Sequence, residues 1–236
     1  MPLRDRSPFD DHTAHLDAAV NPYVTPMRHA LEEKPATPEA HLIWHGPKLK
    51  DCRGHWRKQL GLPADGKLLV EIGCHKGKNL LELAHLYPQA HCLGIDITLK
   101  RVVLTAQRAV VAGLANLSTI FANAKSLDLL FAPGEVDGYL VFYPDPWLKR
   151  RKAKNRLLDQ SLANKLATTL KPGGFCWLKT DQAPYFEESR KAFLSVGLTC
   201  TSTPAELATG LSESTFERRF RHQGIPPNSG YFIKNK

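Results

Sequence analysis

Lys67-Leu68-Leu69-Val70-Glu71-Ile72-Gly73-Cys74-His75-Lys76-Gly77-Lys78 is the stretch that decides the fold. Its first half is a short apolar run ending on glycine, as a strand buried on both faces of a parallel sheet requires. Its second half is a glycine-bearing turn. Asn79–Leu86 then shows apolar residues at helical spacing and stops before Pro88.

The alternation continues downstream. Cys92–Ile95 is a second expected strand, ending at Asp96, and Leu99–Ala112 a helix closed by Gly113. Leu117–Phe121 and Asp137–Phe142 are the third and fourth strands, the latter running into Pro144. Arg156–Leu170 reads as a helix stopped by Lys171-Pro172-Gly173-Gly174, and Phe175–Thr180 as the fifth strand. Tyr185–Ser195 is a helix ending at Gly197, with Leu198–Ser202 and Gly230–Lys234 as the last strands. The expected class is α/β: a doubly wound, mostly parallel, Rossmann-like sheet with helices on both faces and seven strands, the last antiparallel. Residues 1–63 are Pro- and His-rich with weak periodicity. They read as a partly ordered N-terminal extension with a short helix around Arg53–Leu60, ahead of a sheet domain over residues 64–236.

Composition narrows the class. Of 236 residues, 42% are hydrophobic, enough for a core, and the formal net charge of +9 favours a polyanionic partner, nucleic acid or an anionic membrane surface. The five cysteines (Cys52, Cys74, Cys92, Cys176, Cys200) are widely spaced with no Cys-x-x-Cys, which argues against a disulfide framework or a zinc site. The start has no secretory pattern, and no apolar run approaches the ~20 residues that span a bilayer. The expectation is a soluble, cytoplasmic protein.

In doubly wound sheets ligands bind beyond the carboxyl ends of the strands. Glu71, Asp96, Asn123, Asp145 and Asp181 all fall at such ends. The turn after the first strand separates two ligand types. A dinucleotide turn, G-x-G-x-x-G, wants glycine at 73, 75 and 78, and only Gly73 complies. The E/D-x-G-x-G-x-G turn that receives S-adenosylmethionine (SAM) wants 73, 75 and 77. Gly73 and Gly77 comply, and Glu71 supplies the acid. Asp96 is placed to accept from ribose hydroxyls or to cap the following helix, with Thr98 competing for the cap. Asn123 is either a reader of the adenine edge or a loop residue.

Tyr143-Pro144-Asp145-Pro146-Trp147 follows the fourth strand. Its prolines fix the backbone around Asp145. A rigid acid beside an aromatic suits a nucleobase, since a ring supports the base and a carboxylate accepts from its N–H donors. The alternative is a rigid turn with a buried Trp. Lys149, Arg150, Arg151, Lys152, Lys154 and Arg156 come next, six basic residues in eight positions. Beside such a loop they read as contacts to a phosphate backbone. Arg218, Arg219, Arg221 and His222 form a second basic cluster, and Asp181 is either a second recognition carboxylate or a helix cap.

Taken in order, Glu71-Ile72-Gly73 with Gly77, Gly94-Ile95-Asp96, Tyr143–Trp147 with its basic run, Leu170–Gly174, Thr180-Asp181 and Ser214–Phe220 resemble the tRNA (guanine-N7)-methyltransferases of the bacterial TrmB type. Gly54-His55-Trp56 is similar to a G-x-W element ahead of that family's core. The resemblance implies a class I SAM-dependent methyltransferase acting on tRNA, usually at the variable-loop guanosine. The expectation is SAM as cofactor, no metal, no membrane and a monomer or homodimer. It places Glu71, Gly73, Gly77, Asp96, Asn123 and Asp145 at the cofactor, Asp145 also serving catalysis. Lys149, Asp181, Ser214, Thr215, Phe216 and Glu217 would contact the guanosine, and Arg150, Arg151, Lys152, Lys154 and Arg156 the RNA. The sequence departs from the family at His75, where glycine is usual. Two alternatives follow: an RNA-binding relative that has lost SAM, and a methyltransferase of another RNA position.

Overall fold

The computed structural model describes residues 7–10, 37–147, 151 and 155–235. The sheet contains β1 (Ile43–His45), β2 (Leu68–Ile72), β3 (His91–Asp96), β4 (Leu117–Phe121), β5 (Val136–Phe142), β6 (Leu170–Thr180), β7 (Leu198–Thr201) and β8 (Asn228–Lys234). The helices are α1 (Trp56–Gln59), α2 (Lys78–Leu86), α3 (Leu99–Val111), α4 (Leu127–Leu130), α5 (Gln160–Thr169), α6 (Ala183–Ser195), α7 (Ala205–Gly210) and α8 (Thr215–His222).

The strands lie in the order β1-β4-β3-β2-β5-β6-β8-β7. Those from β1 to β6 run parallel, and β8 is antiparallel to both its neighbours. From β2 the chain winds outward through β3 and β4, then returns to add β5 on the other side of β2. That reversal opens the crevice in which doubly wound sheets bind ligands. Every residue of β2, β3 and β4 is buried. Alternation sends Leu68, Val70 and Ile72 to one core layer with α1, α4, α5 and α6. It sends Leu69 to the other layer with α2, α3 and α7.

Three expectations change. The sheet has eight strands rather than seven, because β1 pairs parallel with the edge of β4, Ile43 opposite Thr119. Residues 37–63, expected as an extension, therefore contribute a strand, and they also bury Leu49, Cys52 and Trp56. The Glu135 carboxylate fastens them to the body, accepting from Gly54 N at 2.8 Å and Trp56 N at 2.9 Å. Second, α5 begins at Gln160, not Arg156, because Asp159 caps it by accepting from Leu162 N at 2.8 Å. Third, Lys171–Gly174 ends the helix but does not leave the sheet. β6 starts at Leu170 and carries the Pro-Gly-Gly stretch as an irregularity between the pairs Val136–Leu170 and Gly138–Phe175.

Candidate functional site

A cleft of about 540 Å³ opens beyond the carboxyl ends of β2, β3, β4 and β5, within the range of small-molecule sites. Gly73, Asp96, Asn123, Asp145 and Phe216 line it, together with His75, Arg101, Tyr143 and Trp147. Another depression, about 480 Å³, lies between the start of α5 and α6 and holds none of the strand-end residues.

The turn after β2 explains its own sequence. Residues 73, 75 and 77 all have left-handed backbone, at φ 76, 51 and 71°. These are the three positions at which the SAM-type turn wants glycine. At Gly77 glycine is obligatory, since a Cβ would lie 2.4 Å from Thr105 Cγ2. At position 75 histidine occupies the same conformation, one of the few side chains enriched there. The turn thus keeps its shape without its middle glycine. His75 N–H donates to Asp96 Oδ2 at 3.1 Å, and Thr105 Oγ1 donates to His75 O at 3.3 Å. The imidazole meets the Phe216 ring edge-on, centroids 5.6 Å apart. Burial, then Arg101, lowers its pKa and favours the neutral ring.

Asp96 is buried and serves both sides of the crevice. Besides His75 N–H it accepts from Thr98 N at 2.8 Å, and Arg101 Nη1 lies 3.7 Å from Oδ2. Thr98 holds the N-cap position of α3 without a side-chain bond. Asn123 caps a short 3-10 turn, accepting from Lys125 N at 3.0 Å. Glu71 sits beneath the turn and Gly77 behind it, neither lining the cleft. Burial raises the Glu71 carboxyl to about 8, and its Oε2 has no hydrogen-bond partner among the described residues.

The loop after β5 is built differently. Tyr143 and Trp147 have left-handed φ of 51 and 42°. Tyr143 N–H donates to Lys179 O at 2.8 Å, continuing the sheet one residue past β5. Asp145 is exposed at the cleft between the two prolines. Arg156 braces the loop: Nε donates to Pro146 O at 2.9 Å, while the guanidinium lies over Tyr185 and pairs with Glu188. Arg151 is exposed. Lys149, Arg150, Lys152 and Lys154 lie outside the described residues.

Beside the cleft stands α8. Ser214 caps it, accepting from Glu217 N at 3.0 Å. Glu217, 6% exposed, pairs with Lys179 of β6 at 3.3 Å and with Arg221 of its own helix at 3.9 Å. Lys78 Nζ donates to Ser212 Oγ at 2.6 Å, and Glu82 accepts from Ser212 N at 2.9 Å, so the segment before α8 is tied to α2. Tyr143 stacks with Phe216 and Phe220, centroids 6.4 and 5.9 Å apart. Asp181 accepts from Gln182 Nε2. Asp181, Ser214, Thr215 and Glu217 adjoin this wall without lining the cleft itself. Sequence reasoning missed Arg101, which pairs with Asp96 five residues before it, and Lys179, whose partner Glu217 is distant in the chain, and saw no contact for His75.

Comparison with known proteins agrees with this geometry. The Methyltransf_4 family, putative methyltransferases, matches residues 65–226. The tRNA (guanine-N(7)-)-methyltransferase of Geobacillus kaustophilus is 34% identical over 182 residues, 75% of this chain and 83% of that protein. That of Anaeromyxobacter dehalogenans is 34% identical over 184 residues, 76% of this chain and 91% of its own. Among solved structures, the 16S rRNA methyltransferase KamB superposes with a TM-score of 0.55 at 16% identity, covering 80% of this chain and 92% of that one, a likeness of fold alone.

Proposed function

This chain belongs to the tRNA (guanine-N7)-methyltransferase family, within the putative methyltransferases of Methyltransf_4, and from that premise we propose that it transfers the methyl group of SAM to N7 of a guanosine in tRNA. The observation that carries the reading is one cleft shared by the left-handed turn with Asp96 and by Asp145.

The residues fit the cofactor. The cleft has the volume, three left-handed positions let backbone approach closely, and Glu71 Oε2 is a buried carboxyl oxygen without a hydrogen-bond partner among the described residues. Gly73, Asp96 and Asn123 hold it from the cleft wall, with Glu71 and Gly77 behind. SAM supplies an electrophilic methyl carbon on a sulfonium.

Guanine N7 has a lone pair and no proton in the neutral base. The chain therefore needs no general base, only alignment and exclusion of water. Asp145 is the catalytic carboxylate: it faces the cleft and stabilises positive charge as that charge passes to the purine. Asp181, Ser214, Thr215, Phe216, Glu217 and Lys149 hold the nucleoside. Arg150, Arg151, Lys152, Lys154 and Arg156 contact the RNA backbone, and Arg156 also holds Pro146. The target is the variable-loop guanosine, and the protein acts in the cytoplasm as a monomer or homodimer. Among the described residues no helix is long and apolar enough to cross a membrane.

The test is chemical cleavage at N7-methylguanosine after incubating unmodified tRNA with protein and saturating SAM. Cleavage at one variable-loop guanosine is expected. No methylation at any tRNA guanine by the folded protein overturns the reading.

A further inference from the structure

Tyr143 joins the cofactor cleft to the wall formed by α8, and the reaction as described leaves its hydroxyl without a task. The residue holds a left-handed φ of 51° although it is bulky, a conformation that clusters at functional sites. Its hydroxyl is buried with no hydrogen-bond partner among the described residues, whereas buried hydroxyls are nearly always paired. The nearby carboxylates are already engaged, Glu217 with Lys179 and Asp181 with Gln182. Burial, then Glu217 and Asp181, push the phenol well above its usual range, so it keeps its proton and remains able to donate.

We propose that the Tyr143 hydroxyl reads the target base by donating to guanine O6, an inference that rests on the guanine-N7 reading. Guanine presents N7 and O6 side by side as acceptors, whereas adenine presents N7 beside an amino donor. A fixed donor next to the reacting nitrogen accepts guanine and opposes adenine. Tyr143 lines the cleft two residues before Asp145, and the carboxylates whose charges act on its hydroxyl, Glu217 and Asp181, are those proposed to hold the nucleoside. Phe216, 38% exposed on α8 and stacked on Tyr143, continues the aromatic wall beside the cleft.

The experiment compares wild type with Tyr143→Phe on tRNA carrying guanosine, 2-aminopurine or inosine at the methylated position. 2-Aminopurine lacks O6, while inosine keeps O6 and lacks the amino group. Differences in N7 nucleophilicity among the purines are common to both enzymes and cancel in the ratio of their kcat/KM preferences. The wild-type preference for guanosine over 2-aminopurine is expected to be about tenfold larger than the variant's, with the guanosine-to-inosine preference equal in both. Relieved of an unpaired hydroxyl, the variant should melt no lower than wild type. Equal guanosine-to-2-aminopurine preference in the two enzymes overturns the inference. A wild type that methylates no guanosine sinks the underlying reading with it. A wild type that does so, beside a variant of unchanged discrimination, sinks this inference alone.

Discussion

The turn at residues 73–77 and the loop at residues 143–147 sit at the ends of adjacent strands, and both force non-glycine residues into left-handed backbone. The first is locked from inside. His75 N–H is held by Asp96, Thr105 Oγ1 donates to His75 O, and Thr105 also fills the space beside Gly77. The second is locked at its base, by Lys179 and Arg156, and leaves Asp145 exposed and the Tyr143 hydroxyl unpaired. A turn that receives the same cofactor in every cycle gains from complete internal bonding. A loop that receives a nucleoside from a large RNA keeps its polar atoms for the guest.

The largest effect expected from this contrast lies under the turn. The folded pKa of Glu71, about 8, stands above its ordinary 4.5. The stability it contributes is therefore fully present below pH ~4.5 and is lost as pH rises through about 8, on the order of 5 kcal/mol across that window. Glu71→Gln should abolish that decline in denaturant unfolding followed from pH 5 to 9. An unchanged pH slope would mean that the floor of the turn is not dry.

The loop should fail in chemistry rather than in cofactor binding. Asp145→Asn is expected to lower single-turnover methyl transfer by about 10²–10³-fold while SAM affinity changes by less than about threefold. Asp96→Ala should do the reverse. It removes the acceptor for two backbone N–H groups and the proposed ribose contact, weakening SAM binding about a hundredfold by calorimetry. If both variants lose affinity equally, the division between turn and loop is wrong. Smaller still, Arg156→Ala should raise KM for tRNA about tenfold and leave SAM affinity unchanged, because its contacts reach Pro146 and not the turn.

The turn was largely legible in the sequence because its determinants are local: an apolar run, glycines at fixed spacing, an acid at the next strand end. The same locality made β2 to β5 and the strand-end positions of Asp96, Asn123 and Asp145 readable. β1 escaped because three residues show no period, and their strand exists only by pairing with β4. Lys171–Gly174 was read as a stop because proline and glycine end helices. That they also sit within a strand depends on its pairing with β5. α8 was seen only through its resemblance, since the Lys179–Glu217 pair that anchors it spans 38 residues. In one dimension His75 is only a departure from the family's glycine. In the fold its φ is what the missing glycine would have supplied, and its ring is against Phe216.

The most direct test of the turn is a calorimetric titration of SAM into the wild-type protein and into His75→Gly. If the turn is intact with histidine in it, both bind SAM in the micromolar range with affinities within about threefold of each other. Binding by His75→Gly alone would contradict the account and leave the natural chain an RNA-binding relative without its methyl donor.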